Sequence, residues 1–400
     1  MLKEITLDKV YQILLVSLAF LLPLTVFGAN LLIVIICLLW IFSGNYKFKF
    51  EQIIQSRFLL SSLIFYSLHI IGLLWTEDLS WGLKILHKMW YFLLLLPVLY
   101  TIAKKEYFAQ CVAAFTIAMT LSELTSYLVW FEIIPEIKNA TVADPTPFMS
   151  HVSYNPILAF TIYILSHKLF FDKSLSSKMF FIYSCFVATM TINMFITGGR
   201  AGHIMYFAML AILIFQFFNA EKVKSLIAML IIIPTVFITA YTLGDLFKER
   251  VDLAIDNVVT YELNKETSVG KRLTYAINSF EIIRSNPIIG VGTGDFPIEY
   301  QKISIKNNTP EYPTPTNPHN MYTLVLVQLG LIGLISFLSI FYYQIKISFN
   351  STDKFVRDLS ITLPLLFLVV MFGESYLLGH YTTLMFIFFS AFLYRDGEKS

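Results

Sequence analysis

Apolar runs of about 18 to 23 residues, the length a helix needs to cross the hydrocarbon core of a bilayer, recur along the whole 400-residue chain. Hydrophobic residues make up 56% and charged residues only 14%, against about 25% charged in a soluble domain. Mean hydropathy is +0.68. In lipid the backbone N–H and C=O groups must find partners within their own segment, and a helix supplies them. The composition therefore predicts an all-α polytopic membrane protein, a single integral membrane domain over residues 1–400.

Twelve spans are expected, at 11–27, 31–43, 58–75, 84–102, 108–131, 152–170, 179–197, 202–219, 224–243, 319–342, 359–378 and 380–394. Loops facing the cytoplasm carry an excess of Lys and Arg. One set of loops and tails holds seventeen basic residues, Lys3, Lys104, Lys105 and Lys399 among them, whereas the short loops on the other side hold only Lys138 and Arg200. The bias alternates through all twelve spans, so both termini are expected in the cytoplasm. The first apolar run follows a basic start, lacks a small-residue cleavage site and leads directly into the second, which reads as a retained helix. Cys37, Cys111 and Cys185 lie within apolar runs and read as small buried hydrophobes rather than disulfide partners.

The connection at 244–318 is different: 75 residues, on the outer side. Loops of that length are usually functional. Within it "KRLTYAINSFEIIRS" sets Leu273, Ala276, Ile277, Phe280 and Ile283 at helical spacing, with Pro287 ending the run. This predicts an amphipathic helix lying on the membrane surface or capping the bundle. The glycine-rich turn "GVGTGDF" and the extended, proline-rich "NNTPEYPTPTNP" follow, delivering the chain to His319.

On this topology Arg200, Arg272, Arg284, His151 and His319 all fall at the outer face. The bland reading of each is an interfacial anchor or a solvated face. Arg200 sits in a Gly-Gly-Arg-Ala-Gly connection on the side where arginine is rare, and its glycines would let a phosphate approach the backbone. Arg272 lies beside Lys271 at the start of the amphipathic helix. The planar, always charged guanidinium suits phosphate, because it binds two oxygens at once. His319, in Pro-His-Asn before a span, is expected at a helix N-terminus, where the dipole disfavours the cation and leaves the neutral imidazole a general base requires. Glu374 is an intramembrane carboxylate, either a site residue or a packing device. His203 and His380 read as structural, and His69, His87 and His167 suggest no role.

Several chemistries find no support. "GVGTGD" lacks a surrounding βαβ unit and is no dinucleotide loop. There is no Gly-Lys-Ser/Thr phosphate loop, no Asp-x-Asp pair to clamp a metal diphosphate and no His-Glu-x-x-His. No basic, aromatic-interleaved patch points to nucleic acid. No metal or other cofactor is therefore expected.

"TGGRAGHIMYFAML", "SVGKRLTYAINSFEIIRSNPIIGVGTGDF" and "PHNMYTLVLVQLGLIGLISFL", in that order and around a long outer loop, resemble the O-antigen ligase and O-antigen polymerase superfamily of bacterial membrane glycosyltransferases. "HVSYNPILAF" is a weaker counterpart. The resemblance implies transfer of a glycan from undecaprenyl diphosphate to a sugar hydroxyl on lipid A–core, at the periplasmic face of the inner membrane, without metal and with inversion. It implies His319 as the base, Arg200 and Arg272 on the diphosphate, and Asn320 in support, with His151, Arg284, Glu374 and Lys271 as further candidates. The chain departs from many relatives in having Gly199 where they carry serine and Lys271 beside Arg272, which leaves Arg284 as an alternative second arginine. A polymerase joining lipid-linked repeats, or a ligase acting on protein, would share the donor chemistry. A transporter would instead place polar groups and broken helices at mid-membrane.

Overall fold

The computed structural model describes residues 6–137, 140–219, 221–309 and 314–395. Lys3, Lys138, Lys399 and part of the expected extended segment, residues 310–313, lie outside the described residues. Among those described, helices dominate and no strand forms, with two isolated bridges near Ile137–Asp144 as the only β pairing.

In chain order the helices are α1 (Leu7–Leu21), α2 (Val26–Phe42), α3 (Tyr46–Gln55), α4 (Arg57–Ile71), α5 (Leu79–Trp90), α6 (Leu96–Ile102), α7 (Lys105–Trp130), α8 (His151–Phe171) and α9 (Ser177–Ile196). Then come α10 (Arg200–Phe218), α11 (Lys222–Leu243), α12 (Asp245–Val259), α13 (Ser268–Ser285), α14 (Phe296–Lys306), α15 (Met321–Ser348), α16 (Lys354–Val370) and α17 (His380–Leu393). Side-chain oxygens of Thr25, Ser56, Asp78, Ser176, Thr267, Asn320 and Asp353 accept N–H groups in the first turns they cap.

A helix stands at each of the twelve expected positions. Among the described residues seven helices are long and apolar enough to cross a membrane, or eight if the bent pair α2–α3, turned by 114°, counts as one span. The other expected spans fold as shorter or more polar helices. α1, α16 and α17 have 15, 17 and 14 residues. α8 is long enough, but it carries Asn155 and His167 and is buried continuously from Tyr154 to His167. It is the central post of the bundle, packed by α9, α10, α16 and α17. Phe389 of α17 meets Phe115 and Phe160 edge-on at 5.1 and 5.0 Å, a geometry worth about 0.5–1.5 kcal/mol per pair beyond area burial.

At the opposite extreme α11 presents Leu226, Leu230, Ile231 and Ile238 outward, as expected where lipid is the solvent. Cys37 and Cys111 are buried, but Cys185 is exposed on α9; an apolar run there has one face turned away from the bundle. α13 is amphipathic as expected, with Ile277 and Phe280 exposed while Thr274, Tyr275, Asn278 and Ser279 pack inward.

α15 breaks at Gly330, whose φ of 60° and ψ of −155° are not helical. The "GVGTGDF" turn plugs the break. Val291 and Gly292 donate to the carbonyls of Val327 and Gln328, while Leu331 and Ile332 donate to Pro287 and Ile288. A side chain at Gly290 would run into the Gln328 backbone, and one at Gly330 into Ile288. Beyond the turn, Asp295 accepts from Thr76 and from the N–H groups of Glu77 and Asp78. The long loop is thereby tied to the α4–α5 connection.

Candidate active site

His319 is the second residue before α15, outside the helix, with φ at +52°. This left-handed conformation is costly for a non-glycine residue and is held by its neighbours. The His319 N–H donates to Asn317 Oδ1 at 2.8 Å. Asn320 caps α15 through Thr323 and donates its amide to the Phe372 carbonyl at 3.2 Å, and the Met321 N–H reaches the Met371 carbonyl. The backbone turn aims the imidazole at the loop after α16, where His319 Nδ1 lies 2.6 Å from Glu374 Oε2. The ring also stacks on Tyr275 at a 6.0 Å centroid distance.

A carboxylate only accepts, so Nδ1 carries the proton and Nε2 is left with a free lone pair. The imidazole thus has a direct carboxylate partner rather than a place in the first turn of α15. Burial pushes the Glu374 carboxyl up, but the His319 bond and charge, the Ser375 N–H and the Arg272 charge outweigh it and hold it below the ordinary carboxylate range.

Arg200 opens α10, and Gly199 is its N-cap. Arg250 of α12 and Arg272 of α13 both lie within electrostatic range of it, and Arg272 also acts on Glu374. Arg200 Nη1 and Arg250 Nε are buried without a hydrogen-bond partner among the described residues. Unbonded buried donors on charged groups are costly, and so is gathering like charges. An anion would relieve both.

His151, the first residue of α8, bonds Asp144 at 2.6 Å, and the other Asp144 oxygen accepts the Gly198 N–H at 3.1 Å. The Asp144 carboxyl is opposed by burial but lowered on balance by His151, Gly198 and Arg250. This second His–carboxylate pair fixes the connection that carries Arg200.

The glycines of that connection serve packing rather than backbone approach to a phosphate. A Cβ at Gly199 would lie 2.6 Å from Asn155 Nδ2, and one at Gly202 would overlap Asn155 itself. α8 and α10 meet here at glycine-only distance, and serine at position 199 would collide with Asn155.

Arg284 is exposed, 12 residues or about 18 Å along α13 from Arg272. Arg272 is therefore the member of that pair in range of Arg200 and Glu374. Lys271 pairs with Glu266 at 3.3 Å. His203 and His380 have structural partners, the Met194 carbonyl and the Tyr91 hydroxyl. His167, to which the sequence assigned nothing, forms a buried pair with Asp358 at 2.9 Å. Arg250 was missed because "KERVD" reads as a solvated face. The argument that singled out Arg200, a basic residue on the disfavoured side, applies to it equally.

A groove of about 760 Å³ opens between α7, α9, α11 and α12, lined chiefly by apolar groups such as Ile192, Phe195, Val236 and Leu243. It also reaches Ala143 and Glu249, the sequence neighbours of Asp144 and Arg250.

Residues 185–338 match the family model described as O-antigen ligase. This region belongs to the O-antigen ligase superfamily. The matched segment carries Arg200, Arg250, Arg272 and His319, while Glu374 and His151 lie outside it. The chain is also 28% identical over 217 residues to an uncharacterized protein of Haemophilus influenzae, covering 50% of this chain and 53% of the relative. It therefore spans about half the length of that relative.

Proposed function

We propose that the protein is a membrane glycosyltransferase of the O-antigen ligase type, moving a glycan from undecaprenyl diphosphate to a sugar hydroxyl of lipid A–core at the periplasmic face. The observation that supports this most is the gathering of three arginines close to a His–Glu pair.

On this reading the polyprenyl chain lies in the groove and the diphosphate meets Arg200, Arg250 and Arg272. His319 Nε2 takes the proton of the acceptor hydroxyl as its oxygen attacks the anomeric carbon. The carbon–oxygen bond to the diphosphate breaks, and undecaprenyl diphosphate leaves with the electron pair. A single displacement inverts the anomeric centre. Glu374 holds the base in the correct tautomer and stabilises the imidazolium that forms. Each positioned cation contributes on the order of 3 kcal/mol, as donors aimed at a developing oxyanion do. No step calls for a metal.

A deletion strain tests the acceptor. Lipid-linked polymer accumulating with no O-chain on the core supports ligation. A single repeat still attached to core assigns the protein as a polymerase instead.

A further inference from the structure

A second pocket, of about 220 Å³, has the carboxylate partner of His319 in its wall. Its lining includes Glu374, Asn317, Ser153 at the start of α8, Tyr376 after α16, and Lys88 of α5. Its volume suits one pyranose ring rather than a lipid chain, and its polar lining contrasts with the apolar groove.

Two features point to a ligand. Tyr376 is 2% exposed, yet its hydroxyl has no hydrogen-bond partner among the described residues. A buried phenol is ordinarily satisfied, and this one borders the pocket. Lys88 forms no ion pair among the described residues. It is exposed and stands beyond 5 Å from its nearest aromatic face, that of Trp81 at 5.9 Å. The pocket lining thus offers both a carboxylate and a lysine ammonium.

We infer that this pocket seats the acceptor sugar, with Tyr376 hydrogen-bonding it and Lys88 reading an anionic substituent such as a phosphate. The inference rests on the transferase reading above. Glu374 lines the pocket and bonds His319, so a sugar held here lies next to the His319–Glu374 pair. Asn317, which accepts the His319 N–H, links occupancy of the pocket to the strained backbone that aims the base.

The test compares wild type, Lys88→Gln and Tyr376→Phe, full length and purified, with a lipid-linked donor and with acceptor before and after phosphatase treatment. Neither substitution removes packing volume. Lys88→Gln is expected to raise acceptor KM about tenfold, the effect of one charge-assisted hydrogen bond, with donor KM unchanged. Dephosphorylated acceptor should abolish that difference. Tyr376→Phe should raise acceptor KM several-fold on both acceptors. Transfer by wild type with acceptor KM unaltered in both variants overturns the subsite alone. Donor binding without any transfer by wild type overturns the transferase reading, and the subsite with it.

Discussion

His319 Nδ1 and Glu374 Oε2 are 2.6 Å apart although 55 residues separate them in the chain. The pair joins the start of α15 to the end of α16 and sets which imidazole nitrogen is free. His319→Ala is expected to lower transfer about 10²–10⁴-fold, the range for loss of a general base. Glu374→Gln should cost at least about a hundredfold, because an amide can present N–H to Nδ1 and stabilise the wrong tautomer. Glu374→Asp should recover part of the rate. Steady-state kinetics on folded, monodisperse variants checks all three.

The same pair has a pH signature in stability. Glu374 is held below its ordinary pKa in the folded protein, as is Asp144. The unfolded chain then binds protons more readily as pH falls. The contribution of both pairs is complete above the ordinary carboxylate pKa of about 4. It is lost as pH falls through the depressed folded values. Thermal unfolding in detergent should show a constant carboxylate contribution from neutral pH to about 5 and a decline below about 4, the decline being smaller in Glu374→Gln.

Arg250 is expected to matter as much as Arg200. Hydrogen bonds to charged groups contribute about 1.5–3 kcal/mol each, so Arg200→Ala and Arg250→Ala should each weaken donor diphosphate binding about 10- to 100-fold. Lysine at either position should restore only part, since it cannot span two oxygens. Arg284→Ala should leave binding unchanged. Equilibrium binding of lipid-linked donor measures each.

The apolar groove predicts chain-length dependence. Thr239→Trp would fill part of the slot that Thr239 lines together with Ile192 and Val236. KM should rise for a long polyprenyl diphosphate donor and stay unchanged for a short-chain analogue. Equal effects on both donors would separate the groove from donor binding.

Gly330→Ala and Gly290→Ala should each destabilise by more than about 3 kcal/mol, combining left-handed strain of about 1–2 kcal/mol with forced overpacking of similar size. Gly44 supplies the contrast: its φ is +67°, but nothing lies within 4 Å of the position that an added methyl group would take. Gly44→Ala should cost only the strain. Thermal melts of the three variants distinguish these cases.

The sequence revealed the helices well, because apolar runs bounded by polar residues need no tertiary information. It also singled out candidates: Arg200 because the charge rule makes a basic residue on the sparse side conspicuous, Arg272 from its place at the start of an amphipathic helix, and His319 from its Pro-His-Asn helix start. What it left hidden depends on contacts across the bundle. Glu374 was visible as an odd carboxylate, but its pairing with His319 arises from the α15–α16 packing. Gly330 looks like an ordinary glycine within an apolar run until the 287–292 segment is seen to fill the break. Gly199 and Gly202 looked like a phosphate cradle because the approach of Asn155 leaves no mark in the local sequence. The run that forms α8 gave no sign in the sequence that it would stand buried at the centre of the bundle, since that depends on the helices packed around it.

The most direct test of the account is transfer by purified protein from labelled undecaprenyl-diphosphate glycan to lipid A–core in the presence of EDTA, run beside His319→Ala. The account predicts product with the wild type in chelator and none above background with the variant. Dependence on a divalent cation, or product formation by His319→Ala at the wild-type rate, would contradict it.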